Sequence, residues 1–315
     1  MLATVALFVS SPALADFPDK AIKLVVGFGP GTGSDIQARA IADVLAGELK
    51  VPVVVENRPG AAGMLAAASV SSAPPDGYTV ILGTTTLLVT LPLMSPSAKY
   101  DGIRDFTPIG TMGKSAFVVV VPNKPNAPTG LRELLAAAKA ADLSYGSIGN
   151  GSFGHLATMR ILQQAGGLQA THVPYKSSGQ ELTDLAAGQL AFATDSSVAT
   201  LPLIRNGLIR PLAVTSRVRL AALPEVPTVA EVLGGDFEHT VWTGLLAPKN
   251  TPPAVVQRWS AALKAALETK EIQERFGSMQ LIPFALDAQG FTQYLRTEVP
   301  AWQAFFQKTG IRIDE

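Results

Sequence analysis

The chain repeats one local design twice, and that design points to an α/β fold. Ile22-Lys-Leu-Val-Val-Gly-Phe-Gly-Pro-Gly-Thr-Gly-Ser-Asp35-Ile-Gln-Ala-Arg39 passes from an apolar run through a glycine-rich turn into an amphipathic segment. Leu143-Ser-Tyr-Gly-Ser-Ile-Gly-Asn-Gly-Ser152-Phe-Gly-His155-Leu-Ala-Thr-Met-Arg-Ile-Leu162 does the same, with Leu156, Met159 and Leu162 at helical spacing. Each segment predicts a strand, a tight turn and a helix start. Ser34 or Asp35 is the expected N-cap of the first helix, and His155 acts locally at the start of the second. The first N–H groups of a helix have no partner within it, and the dipole is positive there, so such an end holds anions. A dinucleotide site does not follow. The G-x-G-x-x-G fingerprint fails, because the frames from Gly27 and Gly29 meet Thr32 and Ser34 where the third glycine belongs.

Seven apolar runs, at 22–28, 51–55, 79–83, 143–148, 171–175, 190–194 and 209–215, alternate with helical patterns. That alternation predicts parallel sheets with helices on both faces. Two longer runs, Ala116–Pro122 and Thr240–Pro248, end sharply at proline. Ile36, Ala40 and Val44 make one stripe of the first helix, with Ile41 and Leu45 beside it. Asn206-Gly207 marks a helix end. The helix from Pro253 to Leu267 carries Val256, Trp259, Leu263 and Leu267 on one side. The last helix buries Phe291, Tyr294, Leu295, Trp302 and Phe305, with a kink expected at Pro300.

The chain of 315 residues is long enough for two domains. Its formal net charge is zero, which argues against nucleic acid as a partner, so any attraction for anions is local. It has no cysteine, which excludes disulfides, thiolate chemistry and cysteine metal ligation. Leu2 to Leu14 is apolar, and Ala13-Leu-Ala15 before Asp16 has the A-x-A form of a signal-peptidase site. Residues 1–15 are therefore read as a signal peptide lacking its basic start, with an exported mature chain from near Asp16. The apolar run is shorter than the ~20 residues of a membrane-spanning helix.

Catalytic patterns are poor. His155, His172 and His239 have no metal-ligand spacing, and no metal or cofactor is expected. No serine stands in G-x-S-x-G. Ser152 and His155 share one helical turn, but a Ser–His nucleophile also needs an orienting acid and an oxyanion site, and the sequence specifies neither.

Ordered motifs carry a family resemblance. Gly-Pro-Gly-Thr-Gly-Ser-Asp35 with Gln37-Ala-Arg39 comes first, then Val53-Val-Val-Glu-Asn-Arg-Pro-Gly60-Ala-Ala-Gly63 and Pro75-Asp-Gly-Tyr-Thr79. Asp105-Phe-Thr-Pro-Ile109, Val173-Pro-Tyr-Lys176 with Gly179-Gln180, and Leu223-Pro-Glu-Val-Pro-Thr228 complete the set. The chain resembles the Bug/TctC family, the extracytoplasmic solute receptors of tripartite tricarboxylate transporters. It departs at Thr32-Gly33, where many members carry Gly-Gly, and at Phe153.

The resemblance implies type II periplasmic-binding-protein architecture: two Rossmann-like α/β lobes with a ligand cleft between them. Lobe 1 is expected over 16–118 and 244–315, and lobe 2 over 119–243. It implies a periplasmic monomer that captures a small carboxylate by closure and hands it to membrane permease subunits, or presents it to a sensor kinase. The rival class is an α/β hydrolase or transferase built on Ser152 and His155.

Candidate ligand-binding residues are Phe28, Gly29, Gly31, Thr32, Gly33, Ser34 and Asp35 in the first turn. Thr84, Thr85 and Thr86 follow at a strand end, where β-branched residues also suit the strand itself. The second turn offers Ser147, Gly149, Asn150, Gly151, Ser152, Phe153 and His155, and the next strand end Tyr175 and Ser178. Asp195 matches the family's cleft aspartate. Beside an anion it must accept a proton from a ligand donor or a water, and otherwise it caps the helix ahead of Ser197. Phe28 and Phe153 suit an aromatic carboxylate, with citrate-like, C4–C6, amino and nicotinic acids as alternatives.

Overall fold

The computed structural model describes residues 17–310. The leader reading over 1–15 lies outside them. The first half of the fold opens with β1 (Ile22–Val26), α1 (Gly33–Leu49), β2 (Val53–Asn57), α2 (Met64–Ser71), β3 (Thr79–Thr84) and α3 (Leu91–Met94). A long strand β4 (Phe106–Pro122) leads into the second half. That half contains α4 (Leu131–Ala140), β5 (Ser144–Ser147), α5 (Phe153–Gln164), β6 (Thr171–Pro174) and α6 (Ser178–Ala187). It continues with β7 (Phe192–Ser196), α7 (Ser197–Arg205), β8 (Ile209–Val214) and α8 (Val229–Leu233). β9 (Thr240–Pro248) returns to the first half, which α9 (Pro253–Glu268), α10 (Lys270–Ser278), β10 (Ile282–Pro283) and α11 (Ala288–Thr309) complete.

The strands run in the order β2-β1-β3-β9-β4-β7-β5-β6, and β8 and β10 also pair with β4. Pairing is parallel for β1 with β2 and β3, and for β5 with β6 and β7. It is antiparallel wherever β4 or β9 takes part. The all-parallel expectation is thereby corrected to a mixed sheet. Helical crossovers build the parallel cores, while the two strands that carry the chain between the lobes run against their neighbours. β4 has 17 residues because it serves both lobes. Phe106 to Ala116 pairs with β9, and from Phe117 the strand pairs with β7 and β8 instead. The change of partner falls at Ala116/Phe117, and β9 pairs with the first part of β4 from Thr240 onward.

Four consecutive valines show why the sheet must be covered twice. Successive strand residues point to opposite faces. Val118 and Val120 enter one core with Leu182, Leu185 and Ile209, while Val119 and Val121 enter another with Leu134, Phe192 and Phe237. The first lobe follows the same rule, with Leu24 and Val26 on one face and Val25 on the other. Trp259 of α9 is fully buried against β1 and β3, and its indole N–H donates to the Gly77 carbonyl at 3.1 Å. α11 continues through Pro300, and Trp302 reaches Phe153 of the other lobe with ring centroids 5.8 Å apart. Among the described residues, no helix is long and apolar enough to cross a membrane.

Because Trp259 fills one core of the first lobe, Trp259→Ala is expected to cost about 3–5 kcal/mol. Urea unfolding followed by far-UV circular dichroism measures this, and a loss below ~1 kcal/mol would contradict the packing described.

Candidate functional site

Three helices begin at one chamber between the lobes, and each is capped in the same way. Thr32 is extended (ψ 157°), and its hydroxyl accepts from the Asp35 N–H at 3.3 Å and donates to the Gly29 carbonyl at 2.9 Å. Ser152 caps α5 by accepting from the His155 N–H at 3.4 Å. Ser196 caps α7 by accepting from the Ala199 N–H at 3.3 Å. Each cap satisfies one N–H of the first turn and leaves those before it free for a ligand. The expected cap at Ser34 or Asp35 is corrected to Thr32. Asp35 turns away instead, accepting from the Gly31 N–H at 3.0 Å, Asn57 at 2.9 Å and Arg39 at 2.9 Å. Burial works against its charge, but these donors outweigh it and hold the carboxyl below its ordinary range. The alternative role for Asp195 as a cap passes likewise to its neighbour Ser196.

The three helix starts meet at one chamber of about 30 Å³. Thr32, Gly33 and Ser34 line it from α1, Phe153 from α5, and Asp195 and Ser196 from the β7–α7 junction. Phe28, Thr84 and Thr86 add walls from lobe 1, and the crossing strands supply Ser115, Phe117, Val241 and Thr243. Contact between the lobes is close. A Cβ on Gly33 would lie 2.5 Å from the Ser196 hydroxyl, and one on Gly29 would lie 2.7 Å from the Lys176 carbonyl oxygen. Glycine at these two positions lets the lobes meet.

The chamber floor is polar and ordered. The Thr243 hydroxyl donates to Gln37 Oε1 at 2.8 Å, and the Gln37 amide donates to Ser115 at 3.3 Å. One oxygen of Asp195 accepts from the Ser196 N–H at 2.6 Å, while Oδ2 is buried without a partner. Burial raises the Asp195 carboxyl to about 6. Beneath it Glu181 is fully buried with both oxygens unpartnered, and burial, then the nearby Asp195, pushes it well above the usual carboxylate range. Phe153 stacks on His239 at 3.8 Å and packs on Phe117 at 5.6 Å. Arg160 donates to His239 Nδ1 at 2.9 Å, so Nε2 carries the ring proton and donates to the Phe153 carbonyl at 2.8 Å. Burial, helped by Arg160, keeps this imidazole neutral.

The other sequence candidates divide by position. Gly149, Asn150 and Tyr175 line a second, wider cavity of about 680 Å³, which shares Phe28 and Ile148 with the chamber. Gly31, Thr85, Ser147, Gly151, Ser152, His155 and Ser178 line neither cavity. Thr85 accepts from the Trp242 N–H at 3.2 Å. Ser147 holds the Gly149 N–H at 3.2 Å and the His172 ring at 2.7 Å. Ser178 is buried at the start of α6. The Ser152 hydroxyl donates to Ser147 at 3.1 Å, while His155 Nδ1 accepts from the Gly151 N–H at 2.9 Å and the ring stacks on His172 at 4.0 Å. That arrangement braces the loop and is not a nucleophile–base pair. Burial, with His172 nearby, lowers His155 to about 3, and burial lowers His172 to about 4.

Sequence reasoning missed Gln37, Ser196 and the lining residues of both crossing strands. Gln37 lies one turn beyond Gly33 on the same helix face, a signal the spacing did contain. Ser196, in Thr-Asp-Ser-Ser197, carried the residue type preferred at an N-cap.

The family model for the tripartite tricarboxylate transporter family receptor, TctC, matches residues 37–311. The chain belongs to this family. Protein BugT of Bordetella pertussis is 31% identical over 323 residues, covering 99% of this chain and 98% of that protein. The periplasmic binding protein BugD superposes with a TM-score of 0.89 at 29% identity, covering 94% of this chain and 99% of that one. Rpa4515 of R. palustris with adipate superposes at 0.88 with 32% identity, covering 94% and 99%. The fold of this TctC receptor is thus that of periplasmic solute-binding proteins.

Gly29→Ala is expected to leave the circular dichroism spectrum intact and to weaken ligand binding at least tenfold, because the added carbon meets a backbone carbonyl only when the lobes close. Small-angle scattering should show the variant open in the presence of ligand. A variant that closes and binds like the parent would refute the contact's role.

Proposed function

We propose that this TctC receptor captures a small carboxylate between its lobes outside the cytoplasm, closes on it, and delivers it unchanged to the membrane subunits of a tripartite tricarboxylate-type transporter. The observation that carries this reading is the meeting of three capped helix N-termini, from both lobes, at one buried chamber. Each end carries partial positive charge, and unassisted they repel one another. An anion between them is attracted to all three, and binds through charge-assisted hydrogen bonds of roughly 1.5–3 kcal/mol each before other costs. The lining has no Lys or Arg, so backbone N–H groups and the hydroxyls of Ser34, Thr84 and Thr86 do the holding.

Closure follows from differential affinity. The open lobes present one or two of the N–H sets, and the closed form presents all of them, so ligand shifts the population toward closure. The crossing strands β4 and β9 are the hinge, since they alone join the lobes covalently. Asp195 orients a water or a ligand hydroxyl through its unpartnered oxygen. A relative with adipate bound supports a carboxylate as the ligand class.

Native mass spectrometry of the protein as purified, followed by calorimetric titration with a carboxylate panel, tests the proposal. A bound acid recovered with unchanged mass is expected, and so is loss of solute uptake on deletion of the receptor. A ligand released chemically altered, or the absence of binding to any carboxylate, would overturn it.

The Asp195 carboxyl sets a pH dependence. Its folded value near 6 lies above the ordinary one, so it is protonated and uncharged below about pH 6 and repels an anionic ligand above it. Affinity for a carboxylate should therefore fall as pH rises from 5.5 to 7.5, and Asp195→Asn should flatten that fall. His155 and His172 titrate near 3 and 4, outside this window. Calorimetry at four pH values decides it, and an equally steep profile in the variant would exclude Asp195 as the source. The same shift acts on stability. Between the ordinary carboxyl value and about 6 the folded state binds the extra proton, so this group's contribution is lost as pH rises through that window.

A further inference from the structure

We propose that Glu181 is a protonated acid that donates a hydrogen bond to Asp195 Oδ2 from beneath the chamber, and so sets the charge of the chamber wall at Asp195. Its consequence for capture rests on the carboxylate reading of the chamber; the protonation of Glu181 does not.

Strand register brings the two carboxyls together. β5 pairs with β7 through Gly146 and Ala193. Asp195 stands two residues beyond Ala193, so both side chains leave the same face of β7. α6 covers that face, since Ala193 shares a core with Leu182 and Leu185. Glu181 lies one turn before Leu185 and shares its side of the helix. Gly146 makes room for it, because a Cβ there would lie 2.7 Å from Glu181 Cγ and 3.2 Å from Oε1. Glu181 therefore lies over β5 on the side that Asp195 faces, close enough for the charge of Asp195 to act on it.

The surroundings do not compensate two charges. Both acids are buried, and Glu181 Oε1, Glu181 Oε2 and Asp195 Oδ2 have no partner. β5, β7 and β4 from Phe117 onward carry no basic residue, and the Arg205 of α7 stands in its last turn. His172 of β6 is engaged by Ser147 at 2.7 Å, and Lys176 is exposed. Tyr175 donates to Asp184, the other acid of α6, at 2.9 Å. Two ionised carboxyls buried together without a cation cost far more than one charge and one proton. A proton on Glu181 satisfies one of its oxygens and Asp195 Oδ2 in a single bond. Burial can keep a carboxylic acid neutral at neutral pH so that it donates in this way. Oδ2 has a second lone pair, so it still accepts from the chamber side. Asp195 alone then carries charge beside the ligand's seat. The donated bond favours its ionised form, and places the pH at which it takes up a proton lower than burial alone would. Glu181 is thus a positioning residue for capture.

Carbon-13 NMR of the side-chain carboxyls, in the full mature chain without ligand, reads both titrations. Glu181 is expected to stay protonated at pH 7.5, where Asp195 is ionised. Glu181→Gln exchanges one neutral donor for another and should leave the Asp195 midpoint within about 0.3 unit of the parent. Glu181→Met removes the donor and should raise that midpoint by about one unit, and the pH at which carboxylate affinity falls should rise with it. An ionised Glu181 predicts the opposite sign, a lower Asp195 midpoint in both variants. That result, or an unmoved midpoint in Glu181→Met, would overturn the proposal. So would a metal ion present at one per chain in the parent and lost in Glu181→Gln, since a cation would then compensate the pair. Should Glu181→Met fail to fold, the protonation of Glu181 in the parent and the Asp195 midpoint in Glu181→Gln decide. If the titrations behave as expected and no carboxylate binds, the receptor reading falls and this inference stands. If carboxylates bind and Glu181 is ionised at pH 7.5, this inference falls alone.

Discussion

Three helix N-termini of like sign are packed against one chamber, and the rest of the architecture makes that arrangement tolerable. Helix ends repel when aligned head to head, and each carries roughly half a positive charge. Local capping reduces the cost, since Thr32, Ser152 and Ser196 each satisfy one N–H of their helix. It does not remove the cost, because a cap leaves the first N–H groups free. The packed sheet on either side supplies the remaining constraint. With one core on each face of each half-sheet, the strands that aim these helices have no freedom to splay. On the proposed function, an anion in the chamber completes the electrostatics that the folded chain leaves open.

The crossing strands carry mechanical consequences. β4 belongs to both lobes and changes partners at Ala116/Phe117, while β9 runs beside its first part. Ser115, Phe117, Val241 and Thr243 flank that change and also line the chamber floor. On the proposed function, the hinge and the ligand's seat are therefore made of the same residues. Gln37 ties them to α1 through Ser115 and Thr243. On the opposite side Trp302 of α11 reaches Phe153 and His239, which gives the last helix a part in the same junction.

Charge placement explains why two aspartates at similar strand–helix junctions differ. Asp35 stands three residues into its helix beside Arg39 and Asn57, is held ionised, and stabilises the first turn from outside. Asp195 stands before its helix, buried over Glu181, with one oxygen unpartnered. The first is a structural anion. The second is a group whose burial favours its protonated form. Both are preceded by a strand and followed by a helix in the sequence, and spacing alone does not separate them.

What the sequence determined by itself is local. Alternating apolar runs set the α/β class, the valines at 118–121 required cores on both faces, and the glycine turns placed helix starts at the ends of two strands. These features arise from interactions within a few residues, so one-dimensional patterns carry them. The family motifs added the two-lobe arrangement and the expectation of an acid as ligand. Tertiary structure decided the rest: that α7 brings a third helix start to the chamber, that Gln37, Ser115 and Thr243 form its floor, that Ser147 and His155 brace the loop from behind, and that a wider cavity opens past Phe28 and Ile148. Each of these depends on residues far apart in the chain being pressed together when the lobes meet. Local spacing cannot encode that contact, because the packing of two separate cores sets the distance across the cleft.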